Sequence, residues 1–236
     1  NFIKIKNKWS EIASFWKCCD ISCINTYNPI GNCIEGNGFA NIVNDENIKY
    51  VVGKGGCDKN ATIYTQFLFN TPQNYFNYSL YYFEIKCKFE GKLNKSWINF
   101  GLQNCSTHKY IGVIPKNNPR IVISKDGFKL ENISFNNNDT FGCGLVYPPA
   151  KKINEEFPYI FFTQNGKQIE FPYIFFTQNG KQIGKGILTD NNFVSYKQYI
   201  ALTCCSIEAN FGSDLEKNNL NTTSRNMKFL KNFIEK

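Results

Sequence analysis

Ten cysteines and one histidine carry the most reactive side chains of this 236-residue chain. The histidine is His108, and the cysteines are Cys18, Cys19, Cys23, Cys33, Cys57, Cys87, Cys105, Cys143, Cys204 and Cys205. No two cysteines have the C-x-x-C spacing, so the usual zinc motifs are absent and we predict no metal site and no cofactor. His108 follows Cys105 by three positions, but no nucleophile motif such as G-x-S-x-G is present. We therefore predict no catalytic residue and no enzyme activity.

The cysteines are expected to be reduced thiols. The adjacent pairs Cys18–Cys19 and Cys204–Cys205 would point to opposite faces if they lay in strands, so neither pair is expected to bridge itself. Ten cysteines in 236 residues are also fewer than small disulfide-rich scaffolds carry. Reduced thiols favour a reducing compartment, which is the cytoplasm or the nucleus.

The net charge of +8 raises the question of a nucleic-acid partner. Only Arg120 and Arg225 are arginine among the 27 positive residues, and the lysines are scattered rather than clustered. Groove reading and phosphate recognition rely on arginine, so we predict a lysine-rich solvated surface and no nucleic acid. No apolar run approaches the roughly 18 residues of a membrane span, so no membrane association is predicted.

Short runs of alternating apolar and polar residues, separated by turn residues, fill most of the chain. The predicted strands are Ile42–Val52, Ala61–Phe69, Tyr81–Phe89, Ser96–Leu102, Arg120–Ser124, Phe128–Leu130, Phe141–Tyr147 and Tyr199–Gly212. Asp126-Gly127 is predicted to form a hairpin turn, because this dipeptide tolerates positive φ. Apolar residues recur at helical spacing only in residues 226–236. The pattern predicts an all-β antiparallel sandwich of two sheets with a short C-terminal helix.

One internal repeat is perfect: residues 156–169 recur unchanged as residues 170–183. Each copy contains a strand, an Asn-Gly turn and the start of a return strand, which together predict one β-hairpin. Fourteen is an even number, so the inserted copy preserves the inward and outward alternation of the residues that follow. An extra hairpin and a bulged loop are both compatible with this pattern.

Five motifs occur in a fixed order in the second half of the chain. They are Tyr82–Lys86 (YFEIK), Phe100–Leu102 (FGL), Asp139–Leu145 (DTFGCGL), Phe175–Lys181 (FFTQNGK) and Ile207–Gly212 (IEANFG). This series resembles the SPRY domain family over roughly residues 80–212, and it is similar to the Ran-binding-protein-M-like branch and to secreted SPRY effectors of parasitic nematodes. In the third motif, the glycines are expected to permit close approach of the two sheets, with Cys143 filling the core.

The resemblance implies a bent, concanavalin-like jelly roll. We predict an N-terminal extension with the first strands over residues 1–60, a SPRY core over residues 61–215 that contains the duplication at 156–183, and a tail or helix over residues 216–236. The implied function is non-catalytic binding of a protein or peptide through loops at one end of the sandwich, as a monomer. Ubiquitin-ligase or scaffold adaptors and host-targeted effectors are the roles that the resemblance suggests.

Matching positions in the family imply the residues of the binding surface. They are Gly53, Lys54 and Asp58 in an early loop, His108 and Tyr110 after the FGL strand, and Thr203 and Cys204 before the last strand. A lectin-like, carbohydrate-binding sandwich is the alternative function. The chain starts at Asn1 without a methionine, so a fragment and a mature secreted effector that acts in a host cell are both open, beside the cytoplasmic or nuclear location.

Overall fold

Two antiparallel sheets packed face to face form the protein in a computed structural model. It describes residues 2–13, 17–25, 31–72, 76–124, 126–131, 133–150, 158–169, 175–178, 181–185, 187–189 and 195–212. A 3-10 helix covers Leu93–Lys95. The strands are β1 Trp9–Ile12, β2 Phe39–Ile42, β3 Asn47–Val51, β4 Ala61–Phe69, β5 Ser79–Phe89, β6 Trp97–Asn104, β7 Tyr110–Ile114, β8 Arg120–Ile123, β9 Asp126–Lys129, β10 Thr140–Tyr147, β11 Tyr159–Gln164, β12 Lys167–Gln168, β13 Phe175–Gln178, β14 Lys181–Lys185, β15 Ile187–Leu188, β16 Tyr196–Thr203 and β17 Cys205–Asn210.

The order of the strands confirms the predicted all-β sandwich. One sheet has the order β1-β4-β16-β6-β7-β8-β9, and the other has the order β12-β11-β10-β5-β17-β3-β2, with β15 also pairing with β11. Residues 1–60 supply edge strands to both sheets, since β1 lies at one edge and β2 and β3 lie at another. The predicted C-terminal helix falls outside the described residues. No helix among the residues described is long and apolar enough to cross a bilayer.

Alternation along the central strands builds the core between the sheets. Phe83 and Ile85 of β5, Cys143 of β10 and Phe100 of β6 are completely buried there. Each large apolar side chain that folding removes from water contributes about 1.5–3 kcal/mol. Cys143 therefore fills the core as predicted.

The glycines on either side of Cys143 have a different role from the predicted one. A Cβ at Gly142 would collide with the Tyr82 hydroxyl, and a Cβ at Gly144 would collide with the Phe161 ring. Tyr82 and Phe161 stack with ring centroids 6.1 Å apart in a cluster separate from the main core. The glycines make room for aromatic rings on the outer face of the sheet, so the prediction that they bring the two sheets together was wrong.

One predicted strand and one predicted turn were also wrong. The stretch predicted as one strand, Tyr199–Gly212, breaks at Cys204, where φ is 50° and the chain passes from one sheet to the other. Asp126 and Gly127 lie inside β9, and the positive φ of this hairpin belongs to Ser124 at 57°. In both places a non-glycine residue adopts the left-handed conformation, which residue type alone does not predict.

The duplication is accommodated as an extra hairpin. The first copy forms β11 and β12 and pairs with β10, whereas the second copy forms β13 and β14, a separate two-stranded sheet. The motif that the sequence analysis matched to Phe175–Lys181 is therefore represented in the sandwich by the first copy. Its Asn165 side chain donates to Asp139 over 2.9 Å and accepts from the Thr140 amide over 2.8 Å. These bonds connect two of the motifs that the SPRY resemblance uses.

Candidate functional site

The residues predicted to bind a partner lie at two opposite ends of the sandwich. Strand β6 begins at Trp97, which pairs with Thr203, and it ends at Asn104, which pairs with Tyr196. His108 and Tyr110 follow the second of these ends. The remaining predicted residues gather at the first end, together with the loop 53–58, the 3-10 helix Leu93–Lys95 and the turn at Cys204. We call this first end the loop end.

Asp58 holds the loop end together. One carboxylate oxygen accepts a hydrogen bond from the Gly53 amide over 2.9 Å, and the other accepts from Lys95 Nζ over 2.9 Å. Burial alone would raise the pKa of Asp58, but the Gly53 amide and the Lys95 ammonium lower it overall. Asp58 is therefore a charged structural anchor, and its negative charge is compensated inside the protein.

Cys204 also has a structural role. Its carbonyl accepts bonds from the Glu90 amide and from the Ser96 hydroxyl, at 2.8 and 3.2 Å. Burial and the neighbouring Asp58 carboxylate raise the pKa of its thiol to about 12. The side chain is completely buried, so it is not available to a partner, in contrast to its predicted place in the binding surface.

Positive charge dominates the exposed part of the loop end. Lys54, Lys59, Lys92 and Lys95 are exposed there, and Lys116 Nζ donates to the Ser96 carbonyl over 2.9 Å. Asp58 and Lys95 compensate each other, so the positive charge of this surface comes from Lys54, Lys59 and Lys92, with Glu35 as the acidic residue beside Ile34.

A cysteine-rich segment lies beside the loop end. This cysteine segment comprises residues 17–25 and 31–38, and it has no helix or strand. The buried Asn37 connects the two features, because its side chain donates to the Cys18 carbonyl over 2.5 Å and accepts from the Cys57 amide over 2.8 Å. Lys54 N also donates to the Gly36 carbonyl over 2.7 Å.

Four thiols converge in the cysteine segment. The sulfur atoms of Cys18, Cys19, Cys23 and Cys33 all lie within 4.8 Å of one another. The Sγ–Sγ distances are 3.3 Å for Cys19–Cys23, 3.5 Å for Cys18–Cys23 and 3.7 Å for Cys18–Cys19. A hydrogen bond from the Cys23 amide lowers the pKa of the Cys19 thiol to about 7, whereas burial raises the pKa of Cys18 to about 12.

This cluster was not predicted. Adjacent cysteines were expected to lie in strands and to point apart, but Cys18 and Cys19 lie in an irregular turn with their sulfur atoms 3.7 Å apart. The available signal was the presence of four cysteines within 16 residues, in the spacing C-C-x3-C-x9-C. Among the residues that the structure describes, these four form the one group of side chains that could hold a metal ion.

Two isoleucines project from the cysteine segment. Ile21 and Ile34 are each 70% exposed. Each lies in a tight turn that a backbone hydrogen bond closes, from Ser22 to the Cys19 carbonyl in one case and from Gly36 to the Cys33 carbonyl in the other. Turn tips usually carry polar residues, so large apolar side chains at two neighbouring tips are unusual.

The opposite end of β6 has a different character. The Tyr110 hydroxyl shares a hydrogen bond of 2.5 Å with Tyr64, and its ring packs edge-on against Tyr199. His108 is exposed and adopts φ of 56° in the turn before β7. The thiol of Cys105 donates to the Gln103 carbonyl, and burial raises its pKa. A raised pKa is the opposite of what activates a cysteine nucleophile.

Comparison with known proteins returns similarity of architecture only. No protein-family model and no curated protein matches the chain. Among solved structures, the Lotus tetragonolobus seed lectin is 9% identical with a TM-score of 0.36, over 73% of this chain and 91% of the lectin. The lectin UEA-II complexed with galactose is 8% identical with a TM-score of 0.36, over 74% and 91%. The receptor-binding domain of botulinum neurotoxin type G is 14% identical with a TM-score of 0.27, over 81% and 44%. None of these similarities transfers a ligand to this chain, and the SPRY resemblance stays a prediction.

Proposed function

We propose that this chain is a non-catalytic protein-binding module that binds an acidic, extended segment of a partner protein at the loop end. The observation that carries the proposal is the pair of exposed isoleucines, Ile21 and Ile34, at two turn tips beside the loop end with its exposed lysines. Apolar side chains held at a surface, with charged residues around them, are typical of docking sites.

The charge of the loop end selects the chemistry of the partner. Lys54, Lys59 and Lys92 are exposed, while Lys95 and Asp58 compensate each other. A positive surface raises the association rate of acidic partners and disfavours basic ones. Lysine is a compact point charge on a flexible stem, so it suits carboxylates without demanding the fixed geometry that arginine imposes on phosphate.

The loops of this surface are held in place before any partner arrives. The Lys54 amide donates to the Gly36 carbonyl over 2.7 Å, and the Cys57 amide donates to the Asn37 side chain over 2.8 Å, so the loop 53–58 is connected to the cysteine segment. A loop that is already ordered loses less conformational entropy on binding, so more of the contact energy appears as affinity. A binding role also agrees with the adaptor function that the SPRY resemblance implies.

A displayed library of random peptides, selected on the full chain, tests the proposal. We expect selected peptides to place Asp and Glu around one or two apolar residues, and their affinity to fall as salt increases. Ile34→Ser should weaken binding about tenfold, since the loss of one buried isoleucine costs about 1.5 kcal/mol. Lys54→Glu should weaken binding most at low salt.

Val43→Ser is the matched control. Val43 is 60% exposed in the turn between β2 and β3, at the other end of β3 from the loop end. Its substitution should leave peptide affinity unchanged. Selected peptides without acidic residues, or an affinity that Val43→Ser lowers as much as Ile34→Ser, would contradict the proposal.

The carbohydrate-binding alternative has less support from the residues. Sugar rings stack on clustered exposed aromatic faces. The tyrosines Tyr64 and Tyr199 are buried, Tyr110 packs against both, and the exposed aromatic side chains of the described residues are Phe67, Phe76 and Phe128. A glycan array separates the two functions. Glycan binding that Tyr110→Ala abolishes and Ile34→Ser leaves intact would favour the lectin role over peptide binding.

A further inference from the structure

We propose that Cys18, Cys19, Cys23 and Cys33 form a tetrahedral four-thiolate site for Zn²⁺ that fixes the cysteine segment. The four sulfur atoms lie in the segment whose turns also carry Ile21 and Ile34, but a metal site there does not depend on the identity of the partner. Three observations support the site: the positions of the sulfur atoms, the backbone amides that face them, and an apolar cluster that consists mainly of the thiols themselves.

The sulfur positions match the size of a zinc site. A Zn–S bond of about 2.3 Å in a tetrahedron places neighbouring sulfur atoms about 3.8 Å apart. The three Sγ–Sγ distances among Cys18, Cys19 and Cys23 are 3.3 to 3.7 Å, and Cys33 completes a set in which all four sulfur atoms lie within 4.8 Å. An ion at the centre of this set would need only small shifts of the Cys18, Cys19 and Cys23 sulfur atoms, whereas Cys33 Sγ would have to approach the others by up to about 1 Å.

Backbone amides point at the sulfur atoms as a thiolate site requires. The Cys23 amide donates to Cys19 Sγ over 3.4 Å, and the Ile24 amide donates to Cys18 Sγ over 3.3 Å. The Ile34 amide donates a hydrogen bond to the sulfur of Cys23. Hydrogen bonds of this kind stabilise the negative charge of thiolates and orient them toward a metal. Zn²⁺ would displace one proton from each thiol, and the four protons would pass to solvent.

The described part of the cysteine segment is held mainly by its thiols and by a few hydrogen bonds from Asn37 and the loop 53–58. It contains no helix or strand, and its own small apolar cluster consists mainly of the thiols themselves with Ile24 and Phe39. A metal ion or a disulfide stabilises a segment that has little apolar core of its own. Soft thiolate ligands in a tetrahedron favour Zn²⁺ over the oxygen-seeking divalent ions.

The alternative staple is a pair of disulfides among the same four cysteines. Disulfide formation needs an S–S distance of about 2.05 Å and a specific dihedral angle for each pair. Adjacent Cys18 and Cys19 would then have to take separate partners from Cys23 and Cys33. Four sulfur atoms that approach one common centre, rather than two separate pairs, fit the zinc site better.

Alkylation of the full chain, followed by peptide mass mapping, distinguishes the two arrangements. With Zn²⁺ bound, the four cysteines should resist iodoacetamide while the exposed Cys57 is alkylated. A strong chelator alone, without reductant, should make all four reactive. Protection that only a reductant removes would identify disulfides and overturn the proposal, as would full reactivity of the four in the presence of equimolar Zn²⁺.

Metal analysis and cobalt spectroscopy give a second, independent measurement. The purified chain should hold one zinc per molecule, and Co²⁺ titration should produce the intense visible bands of a tetrahedral cobalt thiolate. Cys33→Ser should abolish these bands or shift them as a sulfur ligand is replaced, whereas Cys57→Ser should leave them unchanged. A Co²⁺ spectrum without thiolate charge transfer in the natural chain would overturn the proposal even if the variants do not fold.

Discussion

Removal of one copy of the duplication is the perturbation that tests the fold most directly. Because the copies are identical, deletion of residues 170–183 and deletion of residues 156–169 give the same polypeptide. We expect this shorter chain to keep the full sandwich and to be more stable than the natural chain. The reason is that the second copy forms a separate hairpin outside both sheets.

The magnitude follows from the strand pairing. Both β12 and β15 pair with β11, through Gln168 opposite Thr163 and Ile187 opposite Ile160. Strands β12 and β15 therefore lie along the same edge of β11. The 18 residues from 169 to 186 connect them. The deletion leaves four residues in this connection, which lowers the entropy cost of closing it by about 1.3 kcal/mol. The melting temperature should rise by about 3–5 °C.

Urea denaturation of three proteins isolates the effect. The natural chain and the deletion variant are compared with a third chain in which a Gly/Ser sequence of equal length replaces residues 170–183. The Gly/Ser chain should match the natural chain in free energy of unfolding, since the connection has the same length. A deletion variant that is less stable than the natural chain would mean that the second hairpin packs on the sandwich. That result would contradict the expected gain in stability.

Three further substitutions test the interior contacts. Gly144→Ala places a Cβ against the Phe161 ring and should lower the free energy of unfolding by about 1–3 kcal/mol in urea denaturation. Asp139→Ala removes the acceptor of three hydrogen bonds and should cost about 2–4 kcal/mol in the same assay. Asp58→Asn removes the ion pair with Lys95 and should cost about 1 kcal/mol at neutral pH. Because the folded pKa of Asp58 is lowered, this difference should vanish as the pH falls through that folded pKa.

The controls for these substitutions use residues of the same type in exposed places. Gly55→Ala, where a Cβ would meet nothing within 4 Å, has positive φ and measures backbone strain without a steric clash. Asp45→Ala and Asp20→Asn change exposed carboxylates. A Gly144→Ala variant as stable as the natural chain, or an Asp58→Asn difference that persists in acid, would contradict the contacts described.

The strands of the sandwich were predictable because their side chains follow simple patterns. In β5, Phe83, Ile85 and Cys87 face the core, and this period is visible in the sequence without any knowledge of pairing. Strand β10 was predicted as a mostly apolar run that ends before Pro148, and it is buried along its whole length. The turn residues were less predictable. Ser124 and Cys204 take positive φ because the strands around them require a reversal or a change of sheet, and no local property of serine or cysteine signals this.

The candidate site depended on information that the sequence does not contain. Whether a loop lies at one end of the sandwich or the other is set by the direction in which its strand pairs, which placed His108 and Tyr110 away from Asp58. The thiol cluster required the path of an irregular segment, in which no periodicity applies. Ile21 and Ile34 resemble core residues in composition, and only their exposure at turn tips separates them from the core.

The two copies have the same sequence, so either of them could supply the strand beside β10. A shift of 14 residues would place β13 against β10 and reproduce the strand-to-strand side-chain contacts that β11 makes there. The sheet therefore does not select one copy by its chemistry, and the two arrangements differ only in how chain length is divided between the flanking connections. The two arrangements therefore have the same strand pairing at this edge and differ in free energy only through their connections. A single substitution in one copy would break that symmetry and favour one arrangement.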